Sequence, residues 1–209
     1  MKSIDEMIGH DRIIPVLAFD SVEQALMLSR ELVEGGIRLL EITLRTPVAL
    51  QAIRAVADEI PDAIVGVGTV LDTESLEAAM HAGATFGVSP GLTRALADAI
   101  TANDFPFIPG VGSVSEMLAA RDQGFRIQKF FPAEVLGGVR FLKSIKDVIQ
   151  DVSFCTTGGL NPDNAPAYLA LENVRAIGGS WMICKTPAGD IDIAQTRQAL
   201  AGCRALVTG

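Results

Sequence analysis

Residues 13–45 read IIPVLAFDSVEQALMLSRELVEGGIRLLEITLR, and the order of their parts decides the fold. A continuous apolar run, Ile13–Ala18, gives way to a stretch of helical period, Val22–Val33, and then to a second apolar run, Leu39–Leu44. Strands that are apolar without alternation are buried on both faces, the situation of a parallel sheet covered by helices. Ser21 stands where a helix N-cap belongs, and Gly35–Gly36 close the helix before the next strand. The stretch is one βαβ unit.

The same alternation continues to both ends of the 209 residues. Further strands are predicted at Ile64–Val67, Phe86–Val88, Phe107–Ile108, Ile127–Phe130, Ser153–Cys155 and Val174–Ile177. Helices are predicted at Val48–Ile60, Glu74–Ala82, Arg94–Ala102, Val114–Asp122, Val139–Val148, Asn164–Leu171 and Ile191–Cys203. Thr73, Thr93 and Ser113 stand as N-caps, the last in a capping-box pattern with Glu116, while Gly83 and Gly124 close helices. A pitch of roughly 25 residues fits about eight units into this length, the number that closes a (β/α)8 TIM barrel. The expectation is an α/β chain forming one barrel domain over residues 1–209, opened by a short helix within MKSIDEMIGHDR. An open doubly wound sheet would carry a glycine fingerprint after its first strand, where this chain has Phe19–Asp20.

Hydrophobic residues make up 49% and charged residues 20%, which places the chain among globular rather than disordered sequences. The net charge of -8 leaves no basic stripe for a nucleic-acid partner. A single phosphate is still within reach, because backbone amides and one or two cations can hold it locally. No apolar run approaches the ~20 residues needed to span a bilayer, and the N-terminus lacks a signal-peptide core. Cys155, Cys184 and Cys203 are odd in number and share no CxxC spacing, so buried thiols in a reducing cytoplasm are expected. His10 and His81 fall in helical segments outside any ligand cluster, and no metal site is expected.

In a TIM barrel the active site lies at the C-terminal ends of the strands. The polar and glycine residues of this chain gather there. The second strand ends in Glu41-Ile42-Thr43-Leu44-Arg45, the third in Gly66-Val67-Gly68-Thr69, and the fourth in Ser89-Pro90-Gly91. The fifth runs into Pro109-Gly110-Val111-Gly112, and the sixth carries Lys129-Phe130-Phe131-Pro132. The seventh and eighth end in Thr156-Thr157-Gly158-Gly159 and Gly178-Gly179-Ser180, while the first strand offers little.

Lys129 shares the parity of Ile127 and so points into the barrel. Lysine is almost never buried without a partner or a task. Desolvation disfavours an ammonium ion and so supplies the neutral amine that attacks a ketone. The plain alternative is a lysine that snorkels to the rim or pairs structurally with a carboxylate. Glu41 and Arg45 share a strand face, one suited to proton transfer and the other to gripping a carboxylate with its fork. Alternatively they form only an ion pair. Gly158–Gly159 and Gly178–Gly179–Ser180 occupy the two loops where TIM barrels often bind phosphate, although glycine also makes plain turns.

The runs Glu41–Thr46, Gly66–Val70, Ser89–Gly91, Lys129-Phe130-Phe131-Pro132-Ala133-Glu134 and Gly178–Trp181 resemble the 2-keto-3-deoxy-6-phosphogluconate aldolase family over nearly the whole chain. The resemblance implies a class I aldolase on a (β/α)8 barrel, working through a lysine imine without metal or other cofactor, and a cytoplasmic homotrimer. Its implied substrate is the phosphorylated keto acid, cleaved to pyruvate and glyceraldehyde 3-phosphate, with 4-hydroxy-2-oxoglutarate as a second substrate giving pyruvate and glyoxylate. By the same resemblance Lys129 forms the Schiff base and Glu41 is the general acid and base. Arg45 and Thr69 hold the pyruvate carboxylate, Pro90 and Phe131 shape the pocket, and Thr157, Gly158, Gly159, Gly179 and Ser180 take the phosphate. Two positions depart from the family pattern, Thr156 and the Gly110–Ser113 loop, and both are expected on the aldehyde side. Two other readings are a phosphosugar isomerase or epimerase on the same barrel, and a non-catalytic phosphosugar sensor. An inward Lys129 beside Glu41 counts against both.

Overall fold

The computed structural model describes residues 3–9 and 11–208; the helical expectation at His10 lies outside the described residues. Its elements run α1 (Ile4–Ile8), β1 (Ile13–Leu17), α2 (Val22–Glu34), β2 (Leu39–Thr43), α3 (Ala49–Glu59) and β3 (Ile64–Gly68). Then come α4 (Thr73–His81), β4 (Phe86–Val88), α5 (Arg94–Ala102), β5 (Phe107–Ile108), β6 (Gly110–Val111) and α6 (Val114–Asp122). The chain ends with β7 (Ile127–Phe130), α7 (Gly138–Ile145), β8 (Ser153–Thr157), α8 (Ala165–Leu169), β9 (Val174–Gly179) and α9 (Ile193–Thr208).

The strands pair in the order β5-β4-β3-β2-β1-β9-β8-β7-β6, with parallel ladders throughout. At the two ends of this order lie β5, the predicted fifth strand, paired with β4, and β6, a short strand in what was expected to be the loop after it, paired with β7. Pro109 separates them because proline has no N–H to give a ladder. Its carbonyl still accepts from Lys129 N at 2.8 Å. The sheet therefore closes on itself as the predicted barrel, and the predicted sixth to eighth strands are β7, β8 and β9.

Two apolar shells hold the barrel. The larger lies between strands and helices, where α2 buries Ala25, Leu28, Ser29 and Leu32, the i, i+3, i+4, i+7 stripe of an amphipathic helix. The smaller lies inside the barrel and contains Ile14, Leu39, Phe86, Val88, Ile108, Ile127, Cys155 and Ala176. Met7 and Ile8 of α1 join this inner shell and plug the N-terminal end. Arg175 ties the plug down, donating from Nε to Asp5 Oδ1 at 2.5 Å and from its second amino nitrogen to Gly9 O at 2.7 Å.

The helix starts follow from side-chain capping. Ser21, Thr93 and Ser113 accept from Gln24, Leu96 and Glu116 amides, as expected. Thr73 does not cap α4; it is the first helical residue, and Asp72 is the cap, accepting from Ser75 N at 2.8 Å. An ionised carboxylate one position earlier outcompetes the threonine hydroxyl for that amide.

Candidate active site

The C-terminal mouth of the barrel opens into a cavity of about 340 Å³. Glu41 and Lys129 form its base. Glu41 alternates with Leu39 on β2, and Lys129 with Ile127 on β7, so both enter the barrel just above the inner apolar shell. Lys129 Nζ donates to Glu41 Oε1 at 3.2 Å, and the two residues are only 7% and 2% exposed. Their backbones sit across the barrel from one another, Glu41 in register with Val16 and Gly66 and Lys129 with Gly110 and Cys155. Gly68 makes room for the carboxylate: a Cβ there would stand 2.4 Å from Glu41 Oε1. Lys129 Nζ also lies 5.4 Å from the centroid of the Phe131 ring, which walls one side.

Cys155 flanks the lysine from β8. Burial, with the Glu41 carboxylate adding to it, pushes its thiol up to about 12. It stays protonated and is a packing residue rather than a nucleophile. All three cysteines are free thiols, with Cys155 and Cys203 buried and Cys184 half-buried.

Arg45, Thr69 and Pro90 line the cavity above the pair. Arg45 lies just past the end of β2, and its Nε donates to Thr43 Oγ1 at 2.9 Å. Thr69 holds a left-handed backbone, φ 61°, an uncommon state for a residue with a branched side chain. Thr157, Gly158, Gly159, Gly179 and Ser180 form the opposite wall. Gly158 and Gly159 take φ 104° and 82°, so glycine is required for this turn. The carbonyls of Thr157 and Gly158 accept from Ala133 N at 2.8 Å and Glu134 N at 3.1 Å. Because C=O and N–H of a trans peptide point oppositely, the amides of Gly158 and Gly159 face away from that turn. The Tyr168 hydroxyl donates to the Glu134 carboxylate and steadies the same turn. Burial first, and that carboxylate second, hold the hydroxyl well above the usual phenol range, so it remains a donor.

Every residue expected to form the Lys129–Glu41 pair, hold the carboxylate, wall the pocket or take the phosphate thus lines one cavity. It also has linings to which the sequence assigned no role, Val16, Thr43 and Leu160, and Gly178 of the second glycine loop lines it too. Val16 shares the parity of the inner-shell Ile14, a signal that was available in the first strand. No helix begins directly after β9; the next, α9, starts at Ile193. The two departures from the family pattern do not reach the cavity. Thr156 is fully buried, one residue out of phase with Thr157, and Gly112 faces Leu136. The side chain of Trp181 packs against Gly179. Among the described residues no group of three or more His, Cys, Asp or Glu could hold a metal ion. His81 is exposed at the end of α4, its Nδ1 2.9 Å from Glu77 O.

A family model described as KDPG and KHG aldolase matches residues 4–198. The chain belongs to this aldolase family. Relatives of this aldolase include the KHG/KDPG aldolase of Escherichia coli K12, 44% identical over 206 residues and covering 97% of each chain. Among solved structures, the 2-keto-3-deoxy-6-phospho-gluconate aldolase of Zymomonas mobilis is 40% identical, covers 98% of each chain and superposes with a TM-score of 0.92. The KDPG aldolase of Legionella pneumophila, 41% identical over 93% of each chain with a TM-score of 0.85, was captured with pyruvate as a covalent carbinolamine. The barrel read from the strand pattern is the fold these relatives share.

Proposed function

We propose that the chain is a class I aldolase that cleaves 2-keto-3-deoxy-6-phosphogluconate to pyruvate and glyceraldehyde 3-phosphate, and 4-hydroxy-2-oxoglutarate to pyruvate and glyoxylate. The observation that carries the reading is the buried Lys129–Glu41 pair at the base of the cavity, 3.2 Å apart. An amine and a carboxylate at that distance can exchange a proton, which leaves the amine free to attack and the acid ready to protonate a leaving hydroxyl.

Lys129 Nζ adds to the C2 ketone to form a carbinolamine. Glu41 protonates its hydroxyl, water departs, and a protonated imine remains. Glu41 then takes the proton of the C4 hydroxyl, the C3–C4 electrons move into the imine, and an aldehyde and an enamine result. Protonation at C3 and hydrolysis of the imine release pyruvate and restore the amine. The imine supplies the electron sink, so the reaction as proposed uses no metal or other cofactor.

Arg45 and Thr69 are assigned the substrate carboxylate, and Pro90 and Phe131 the walls beside its keto end. The amides of Gly158 and Gly159, with Thr157, Gly179 and Ser180, are assigned the phosphate, since oriented backbone N–H groups make anion sites. No helix of the described residues is long and apolar enough to cross a membrane. A cytoplasmic homotrimer acting on a small keto-acid phosphate, with one barrel carrying the whole activity, completes the proposal; sedimentation would give the assembly. Borohydride reduction in the presence of pyruvate tests the core of it. A stable mass gain on Lys129, absent in Lys129→Ala, is expected, and an unmodified Lys129 would overturn it.

A further inference from the structure

The Thr43 side chain is buried, lines the cavity and sits between Glu41 and Arg45 in sequence. Its hydroxyl has a single proton, and that proton is committed: Thr43 Oγ1 donates to Leu17 O at 2.7 Å across the β1–β2 seam. The direction of that bond fixes the oxygen's lone pairs, and one of them accepts from Arg45 Nε at 2.9 Å. A hydroxyl engaged in this way has no proton left for a substrate carboxylate.

Arg45 is an exposed residue at the rim, just past the last strand residue of β2. A long side chain in that position loses rotamer freedom when it grips an anion. With Nε tied to Thr43, the two terminal amino groups are left as a pre-aimed fork, the geometry that binds a carboxylate through two bonds. We infer that Thr43 is the positioning residue that holds Arg45 in its carboxylate-binding pose, relaying the fixed backbone of β1 to the guanidinium. The inference rests on the aldolase reading and on the assignment of the keto-acid carboxylate to Arg45.

The test reads the pyruvate concentration that gives half-maximal borohydride trapping on Lys129, in the full chain and in Thr43→Val, Thr43→Ser and Arg45→Ala. Loss of one hydrogen bond to a charged group predicts a rise of about tenfold in Thr43→Val. Thr43→Ser restores the acceptor and should stay within about twofold of the parent. The trapping plateau per folded chain should not change in either variant, whereas a merely structural role would lower the plateau and leave the half-saturation point alone. In the Arg45→Ala background, adding Thr43→Val should have no further effect. Thr43→Ala replaces the valine variant if that one does not fold. A half-saturation point that moves in Arg45→Ala but not in Thr43→Val would overturn the inference while leaving the aldolase intact, as would a serine variant as weak as the valine one. An Arg45→Ala chain that saturates normally would overturn it together with the carboxylate assignment. A parent chain that traps no pyruvate would overturn it together with the aldolase reading.

Discussion

Gly68 on β3 and Glu41 on β2 share one space: a Cβ on the glycine would lie 2.4 Å from Oε1 and 2.6 Å from Cγ of the glutamate. The carboxylate therefore reaches Lys129 across a gap that the neighbouring strand leaves open. Gly68→Ala should displace Glu41 from the lysine. The expected result is a fall in kcat of roughly 10²-fold, the lower end of what a general acid or base contributes, and a stability loss of about 1–3 kcal/mol from overpacking. Steady-state kinetics and a denaturant melt on the same preparation check both; an unaltered kcat would show that the carboxylate has room to spare.

Glu41→Gln keeps the volume and removes the proton carrier. Turnover should slow by roughly 10²–10⁴-fold. Because Lys129 remains, borohydride should still trap pyruvate, only more slowly. Single-turnover trapping separates these two readouts, and rapid trapping with full turnover would remove Glu41 from the chemistry.

The turn at Gly158 and Gly159 places two residues at positive φ, and a Cβ on Gly159 would also stand 2.8 Å from Cβ and Cγ of Glu134. Gly159→Ala is expected to lower kcat/KM for the phosphorylated substrate at least about tenfold more than for 4-hydroxy-2-oxoglutarate, since backbone strain of this kind costs about 1–2 kcal/mol per residue. Equal losses on both substrates would move the phosphate site elsewhere.

Cys155 links stability to pH. In the folded chain its thiol stands at about 12, above the ordinary value of 9.0 that it regains on unfolding. Between those values unfolding releases a proton, so this contribution is full below the ordinary value and is lost as pH rises towards the folded one. Urea melts from about pH 8 to about pH 11 should show declining stability, and Cys155→Ala should make the decline shallower, leaving the share that Tyr168 contributes above the usual phenol range. A parallel decline in the variant would assign it to other groups.

Much of the architecture was legible in the sequence because each device is local. Strand parity placed Lys129 inward beside Ile127, and the capping box at Ser113 fixed the start of α6. What escaped depends on competition or on distance. Asp72 takes the cap from Thr73 because a charged acceptor one residue away outbids a hydroxyl. Gly110–Val111, read as a loop, forms β6 because β7 lies alongside it in the folded barrel. Thr43 was given no role beyond its place in the second strand's ending, where threonine's branching alone suits it to a strand. Only the folded chain brings Leu17 O within 2.7 Å of its hydroxyl. Thr156 was expected at the aldehyde side from its place in a motif, but its parity turns it toward the helices.

Among the described residues, α1 stoppers the floor of the barrel, and the cavity that holds Lys129 opens at the opposite mouth. For an aldolase working at Lys129, the fragment nearest the doorway has to leave before the fragment tethered at the bottom. Glyceraldehyde 3-phosphate would depart first and pyruvate last, and in the condensing direction pyruvate would have to arrive ahead of its partner. On the aldolase reading, that order follows from the covalent tether at Lys129 lying beneath the mouth through which both fragments pass.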